Sequence, residues 1–215
     1  MVKKISWKVY LIAGIVTLVI FSSGIGLGFF ISENKFSTLK QELETIQTQQ
    51  KDVESEILLA NSLGKGSCET LSYEIEKMTS IASNLGERIG SYGSEMLKDS
   101  EISNLKKYYM LTLIEYWYYW ESFKKNCNSS VNTILYFYSL NNCNDCEPQG
   151  YMLSFLKQKY HDKLMVFSFD ADEDLYSITL LKRTYEVNKT PTLIINNKKY
   201  EGLIDLNELN RILSL

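Results

Sequence analysis

At 215 residues the chain has room for one or two modest domains, and a net charge of −3 without any long basic run argues against a nucleic-acid-binding surface. Its single histidine, His161, closes a polar helix end beside Asp162 and Lys163 and reads as a solvated surface residue. Histidine-built metal sites are thereby excluded, and Ser-His-Asp and Cys-His hydrolase chemistry is disfavoured.

No charge interrupts residues 9–32. As a helix this stretch rises about 36 Å, enough to cross a hydrocarbon core of about 30 Å with some tilt. Lys3, Lys4 and Lys8 precede it, while Glu33 and Lys35 nearly cancel beyond it. The positive-inside rule then puts the N-terminus in the cytoplasm and everything after Glu33 outside it, with Trp7 and Tyr10 at the interface. A cleaved signal peptide is the alternative. The run is long for one, and Ser22-Ser23-Gly24 is a poor cleavage site, so residues 1–32 read as a cytoplasmic tip and an uncleaved transmembrane signal anchor. Gly24 and Gly28 form a G-x-x-x-G, weak evidence of helix pairing.

Residues 33–128 read as an all-α stalk and hairpin. Phe36, Leu39, Leu43, Ile46, Gln50, Val53, Ile57 and Ala60 recur in steps of three and four. That is a coiled-coil seam with one polar member, which would make a homo-oligomer through the stalk. An amphipathic helix packed on the chain's own later helices explains the stripe equally well. After Gly64-Lys65-Gly66, Ser67 can cap a helix with the stripe Leu71, Ile75, Met78, Ala82, Leu85 and Ile89. Gly90 to Ser94 turns the chain. A third helix, about Asp99 to Lys125, carries Ile102, Leu105, Tyr109, Thr112, Tyr116, Tyr119 and Phe123, with Trp117 and Trp120 alongside. Its aromatic run suits packing between helices; docking on a neighbouring domain, the bilayer or a substrate is the alternative.

Cys68 opens the second helix and Cys127 closes the third. In an antiparallel hairpin they meet, and a structural disulfide there would stabilise by about 4 kcal/mol in the chain-entropy model. A relay with the second cysteine pair, or free thiols, are the other readings.

Residues 129–215 change period. Ile134 to Tyr138 reads as a buried strand running into a polar turn, then Cys143-Asn144-Asp145-Cys146, then an apolar-periodic helix from Pro148 to about Tyr160. Two residues between cysteines at a helix start let the sulfurs meet, and the helix N-terminus favours a thiolate. The same spacing can hold half a zinc site, so the motif by itself leaves both open. Leu164 to Phe169 reads as a strand covered on both faces, Asp172 to Val187 as a helix, and Thr192 to Ile195 as a strand. Asn196-Asn197 turns that strand into Lys198-Lys199-Tyr200, and Asp205 caps a last helix.

The C-x-x-C after the first strand, together with Thr190-Pro191-Thr192 before the third, resembles the thioredoxin fold, covering roughly Val131 to Leu215. The phrase Val187 to Asn196 looks closest to DsbA-like extracytoplasmic members. The resemblance implies an α/β thioredoxin-like C-terminal domain with Cys143 as nucleophile and Cys146 as resolving thiol. It also implies a cis Pro191 that faces the dithiol, with Thr190 beside it, and no cofactor or metal. Several positions depart from the family: Asn142 replaces an aromatic residue, residues 133–138 carry no buried acid, and the usual preceding strand and helix are not recognisable. Asp145 and Glu147 oppose the helix-dipole effect at a forming thiolate, which predicts a couple less oxidising than DsbA.

These readings point to a membrane-anchored extracytoplasmic thiol–disulfide oxidoreductase acting on cysteines of other proteins, with a membrane redox partner as one means of recycling. A non-catalytic thioredoxin-like adaptor whose Cys143–Cys146 bond is structural is the competing class.

Overall fold

The computed structural model of the protein describes residues 7, 13–23, 25, 44–45, 48, 51–52, 55, 68–92, 100–141 and 143–214. It divides into two compact units, 1–54 and 55–215. In the first, residues 13–23 are helical, and Ile15, Val16, Leu18, Val19, Ile20 and Phe21 are exposed. Among the described residues no helix is long and apolar enough to cross a membrane. The rest of the uncharged stretch, with Tyr10, Gly24 and Gly28, lies outside them. The transmembrane element of the expected architecture is therefore not part of what the structure shows. The seam residues Phe36 to Ala60 and the Ser67 cap also lie outside the described residues.

The second unit begins with a helical hairpin, α1 (Cys68–Gly90) and α2 (Ser100–Cys127). The α1 stripe buries Ile75, Met78, Ala82 and Leu85, and α2 buries Ile102, Leu105, Met110, Leu113, Tyr116, Tyr119 and Trp120. Period-3.6 spacing puts the α1 set on one face, whereas the α2 set spreads further round its helix. Three contacts fix the helices as antiparallel: Cys68 with Cys127, Thr79 Oγ1 with Tyr116 Oη at 2.5 Å, and Gly86 under the Tyr109 ring. A Cβ on Gly86 would lie 3.2 Å from Tyr109 Oη, so the glycine admits this close crossing.

The sheet follows, with strands β1 (Asn132–Tyr138), β2 (Leu164–Asp170), β3 (Thr192–Ile195) and β4 (Lys198–Glu201) in the order β2-β1-β3-β4. β1 and β2 run parallel, joined through α3 (Cys146–Tyr160), while β3 is antiparallel to β1 and to β4. Asn196 and Asn197, at φ 47° and 67°, make the tight β3–β4 turn, as asparagine tolerates the left-handed region. Alternation along β1 separates two faces. Ile134 and Tyr136 pack with Leu153 and Leu156 of α3 and with Leu209 and Leu213 of α5 (Leu206–Leu213). Asp205 caps α5 by accepting the Glu208 N–H at 2.9 Å. On the other face Phe137 packs on Phe169, and Tyr116 of α2 meets Phe167 edge-on at 5.4 Å.

Helix α2 thus stands between α1 and the sheet, which explains its near-continuous aromatic run: it needs two apolar faces. Tyr118 remains exposed. Among the described residues no strand precedes β1, and α2 packs against β1 and β2.

Two helices differ from the sequence reading at their boundaries. α3 begins at Cys146 rather than Pro148, because a proline is tolerated within the first turn, where its missing N–H has no intrahelical partner to lose. α4 (Tyr176–Thr184) begins four residues later than expected from Asp172. Asp170 diverts the chain: its Oδ1 accepts the Asp172 N–H at 3.0 Å and its carbonyl accepts from Glu173, a side-chain turn that competes with helix. His161 is exposed at the end of α3.

Candidate active site

The C-terminal end of the sheet carries the cysteine motif. β1 ends at Tyr138, the chain turns through Ser139 to Asn141, and Cys143 and Cys146 follow, joined by a disulfide with Cα atoms 5.4 Å apart. Cys143 is partly exposed, whereas Cys146, the first residue of α3, is 6% exposed. Asp145 occupies the N-cap position without a side-chain capping bond, and both Asp145 and Glu147 are exposed. One exposed carboxylate therefore lies between the two cysteines and another directly after them.

The proline loop lies at the same end. Phe137 pairs with Thr192, so Pro191 and Thr190 continue past the end of β3 beside Tyr138 and Ser139. The Thr190–Pro191 peptide bond is cis, and Pro191 O accepts the Gly202 N–H at 2.8 Å. Ser139, Asn141, Asp172, Lys182 and Thr190 help line a cavity of about 240 Å3 between the two loops.

From beneath, Tyr136 Oη donates to Cys146 O at 2.5 Å, and burial pushes the phenol up to about 12. Burial, followed by the charge of Glu115, likewise takes Tyr108 to about 12. A phenol that stays protonated when folded but ionises near 10 when unfolded makes the native state bind more protons, so stability falls as pH rises from 10 to 12. At about 1.4 kcal/mol per pH unit, Tyr136 is expected to cost the fold on the order of 2–3 kcal/mol by pH 12, and Tyr108, which partly faces water, less. Urea unfolding at pH 9 and pH 11.5 checks this, and equal midpoints would refute it.

Among the described residues a buried charge cluster also stands at this end, and sequence reasoning missed it. Lys106 of α2 pairs with Asp170 and lies 3.0 Å from Glu173 Oε1. Burial pulls the ammonium pKa down, but the hydrogen bonds and charges of the two carboxylates outweigh this and hold it above its ordinary value. The one available signal was Asp170 itself, an acid ending a continuous apolar strand run.

The second pair, Cys68 and Cys127, is also disulfide-bonded, with Cα atoms 5.6 Å apart. Cys127 ends α2 just beyond Lys124, whose Nζ bonds Thr133 Oγ1 at 3.0 Å near the start of β1. β1 is seven residues long, so roughly 20 Å of strand separates this end from the Cys143 loop. The structure places Cys143, Cys146, Thr190 and Pro191 at one end of the sheet and Cys68 and Cys127 at the other. Neither a direct relay nor a four-cysteine metal set is assembled.

No family model and no curated protein matches the chain. Solved structures to which it is similar include the germline-specific thioredoxin Deadhead of Drosophila melanogaster, at 22% identity over 42% of this chain and 86% of that chain, with a TM-score of 0.34. Thioredoxin O2 of Arabidopsis thaliana in its oxidised state matches at 21% identity over 40% of this chain and 76% of that chain, TM-score 0.34. A thioredoxin-like protein from Clostridium perfringens matches at 22% identity over 42% of this chain and 74% of that chain, TM-score 0.34. The neighbours are consistently thioredoxin-like.

Proposed function

We propose that this thioredoxin-like chain is a membrane-anchored thiol–disulfide oxidoreductase that works outside the cytoplasm on the cysteines of other proteins, as a reductase or isomerase or as a weak oxidase. The observation that carries the reading is the asymmetry of the dithiol: a partly exposed Cys143 just before α3 and a buried Cys146 at its first position, at the end of the sheet that also carries Thr190 and Pro191.

In the reducing direction the Cys143 thiolate attacks one sulfur of a substrate disulfide, and the other substrate sulfur leaves as a thiolate that takes a proton from water. The Cys146 thiol then loses its proton and attacks Cys143 Sγ. This forms the internal disulfide and releases the second substrate sulfur, so two electrons have passed to the substrate. Cys146, held at the helix start, is positioned to resolve rather than to make the first attack. Thr190 and Pro191 serve as the substrate-contacting loop. Asp145 and Glu147 make the thiolate less favourable, which keeps the couple less oxidising than DsbA.

The anchor reading is supported by the uncharged run 9–32 and the lysines that precede it. A disulfide between Cys68 and Cys127 suits an oxidising compartment, where the substrates would be secreted or membrane proteins. Association through residues 33–60 would bring several dithiols to one substrate and favour isomerisation, whereas a single chain reaching a membrane redox partner would favour oxidation.

Full-length protein in detergent is expected to catalyse insulin reduction or the refolding of scrambled RNase, with a glutathione titration placing its potential on the reducing side of DsbA. Absence of turnover favours the adaptor, in which the bond is structural. A potential at or above that of DsbA removes the argument from Asp145 and Glu147.

A further inference from the structure

The dithiol loop is connected to the helical hairpin through buried charge. Lys106 on α2 and Asp170 at the end of β2 are 7% and 3% exposed, and Lys106 Nζ bonds Asp170 Oδ2. Neither charge would be stable in that environment alone. The second oxygen of Asp170, Oδ1, accepts the Asp172 N–H at 3.0 Å and so fixes where Asp172 begins. The Asp172 carboxylate turns back to the loop: its Oδ2 is 2.6 Å from Ser139 Oγ and accepts the Asn141 side-chain amide at 3.1 Å. Ser139 Oγ in turn accepts the Asn141 N–H at 2.9 Å. Its one hydrogen has two acceptors within reach, Asn141 O at 2.5 Å and the Asp172 carboxylate at 2.6 Å, and the charge of the carboxylate favours the second. Ala171 N donates to Tyr138 O at 2.8 Å, so the two strand ends are joined in the backbone as well. Cys143 lies two residues after Asn141. Lys106 belongs to the hairpin, outside residues 131–215 that resemble thioredoxins.

We propose that Lys106 is a positioning residue for the dithiol, acting through Asp170 and Asp172 on the Ser139–Asn141 loop that leads into Cys143. The internal disulfide forms only while that loop keeps Cys143 beside Cys146, so loop freedom lowers the effective concentration of one thiol at the other. The quantity affected is the exchange in which the protein dithiol and oxidised glutathione give the protein disulfide and two reduced glutathiones. In it two electrons and two protons pass from the dithiol to the glutathione disulfide. This role rests on Cys143–Cys146 being an exchangeable pair.

The test is the glutathione equilibrium of the full-length protein and its variants. Lys106→Met is expected to lower the equilibrium constant for the internal disulfide about tenfold, which is about 30 mV toward a more oxidising couple. Lys106→Arg, which keeps a cation facing Asp170 and Glu173, restores the parent value. Ser139→Ala, which removes the shorter of the loop's two bonds to Asp172 without changing any charge, shifts the constant the same way, and the double variant shifts it no further than the larger single change.

A parent-like Lys106→Met, an Arg variant as defective as Met, or effects of Lys106→Met and Ser139→Ala that multiply would each overturn the role. Should Lys106→Met lose its cooperative unfolding transition, Ser139→Ala decides together with the Arg variant. A shifted Ser139→Ala with a parent-like Arg variant supports the proposal; any other combination overturns it. A parent whose Cys143–Cys146 bond resists both glutathione and dithiothreitol overturns the exchange reading itself, and the positioning role with it.

Discussion

Full-length protein carrying Cys146→Ser is expected to collect disulfide-linked adducts with other proteins in the cell, whereas Cys143→Ser collects none and loses insulin reduction to the level of the thiol buffer. The asymmetry follows from the two environments. Cys143 is partly exposed and not yet in the helix, which leaves it the more accessible of the two to a substrate disulfide. Cys146 is buried at the first position of α3 and its carbonyl accepts the Tyr136 phenol, which ties that backbone to the sheet. Without Cys143 the first bond never forms. Without Cys146 it forms and persists, because serine cannot release it. Non-reducing gels of cells expressing each variant, with adducts identified after reduction, read the outcome directly. Equal adduct yields from the two variants would mean that Cys146 is also reachable, and the assignment of nucleophile and resolving thiol would fall. No adducts from either variant would favour the adaptor reading.

Much of this site was legible because its residues punctuate the chain locally. Cys143-Asn144-Asp145-Cys146 interrupts a strand-to-helix change of period, and Thr190-Pro191 precedes a four-residue apolar strand. Neither feature needs knowledge of distant partners. The charge cluster behind the loop has no such local mark. Lys106 follows Leu105 on a helix rich in lysine and reads as part of a solvated face; only the packing of α2 on the sheet carries it inward to Asp170, 64 residues away. The same packing explains the aromatic run at residues 116–120. Its spacing showed an excess of apolar surface, but a one-dimensional stripe could not assign Tyr116 to Phe167 and Thr79 rather than to a substrate. The start of α4 departs from the apolar spacing for a related reason. The apolar spacing from Leu175 onward is helical, yet Asp170 turns the backbone at Asp172 and Glu173, and a side-chain hydrogen bond leaves no periodic trace.

Replacing both Cys68 and Cys127 with serine is expected to lower the stability of the 55–215 unit by about 4 kcal/mol while leaving the Cys143–Cys146 equilibrium with glutathione unchanged. The bond spans 59 positions, and by chain entropy alone a link of that length removes about this much freedom from the unfolded state. For a unit of this size the loss corresponds to a fall in Tm of roughly 8–16 °C, which thermal unfolding of the full-length variant under non-reducing conditions measures. Its effect is expected to be largest at the outer helix. α1 packs on α2, and α2 on the sheet, so opening the clamp at Cys68 releases α1 first while Tyr116 still anchors α2 on Phe167. Amide exchange should therefore rise across residues 68–90 well before it rises in β1 or β2. The second half of the expectation follows from placement, since the clamp and the dithiol lie at opposite ends of β1. A shifted glutathione equilibrium in the serine variant would show that the pairs communicate despite that separation. A fall in Tm of less than about 2 °C would show that the helices hold the hairpin closed in the unfolded ensemble without the bond.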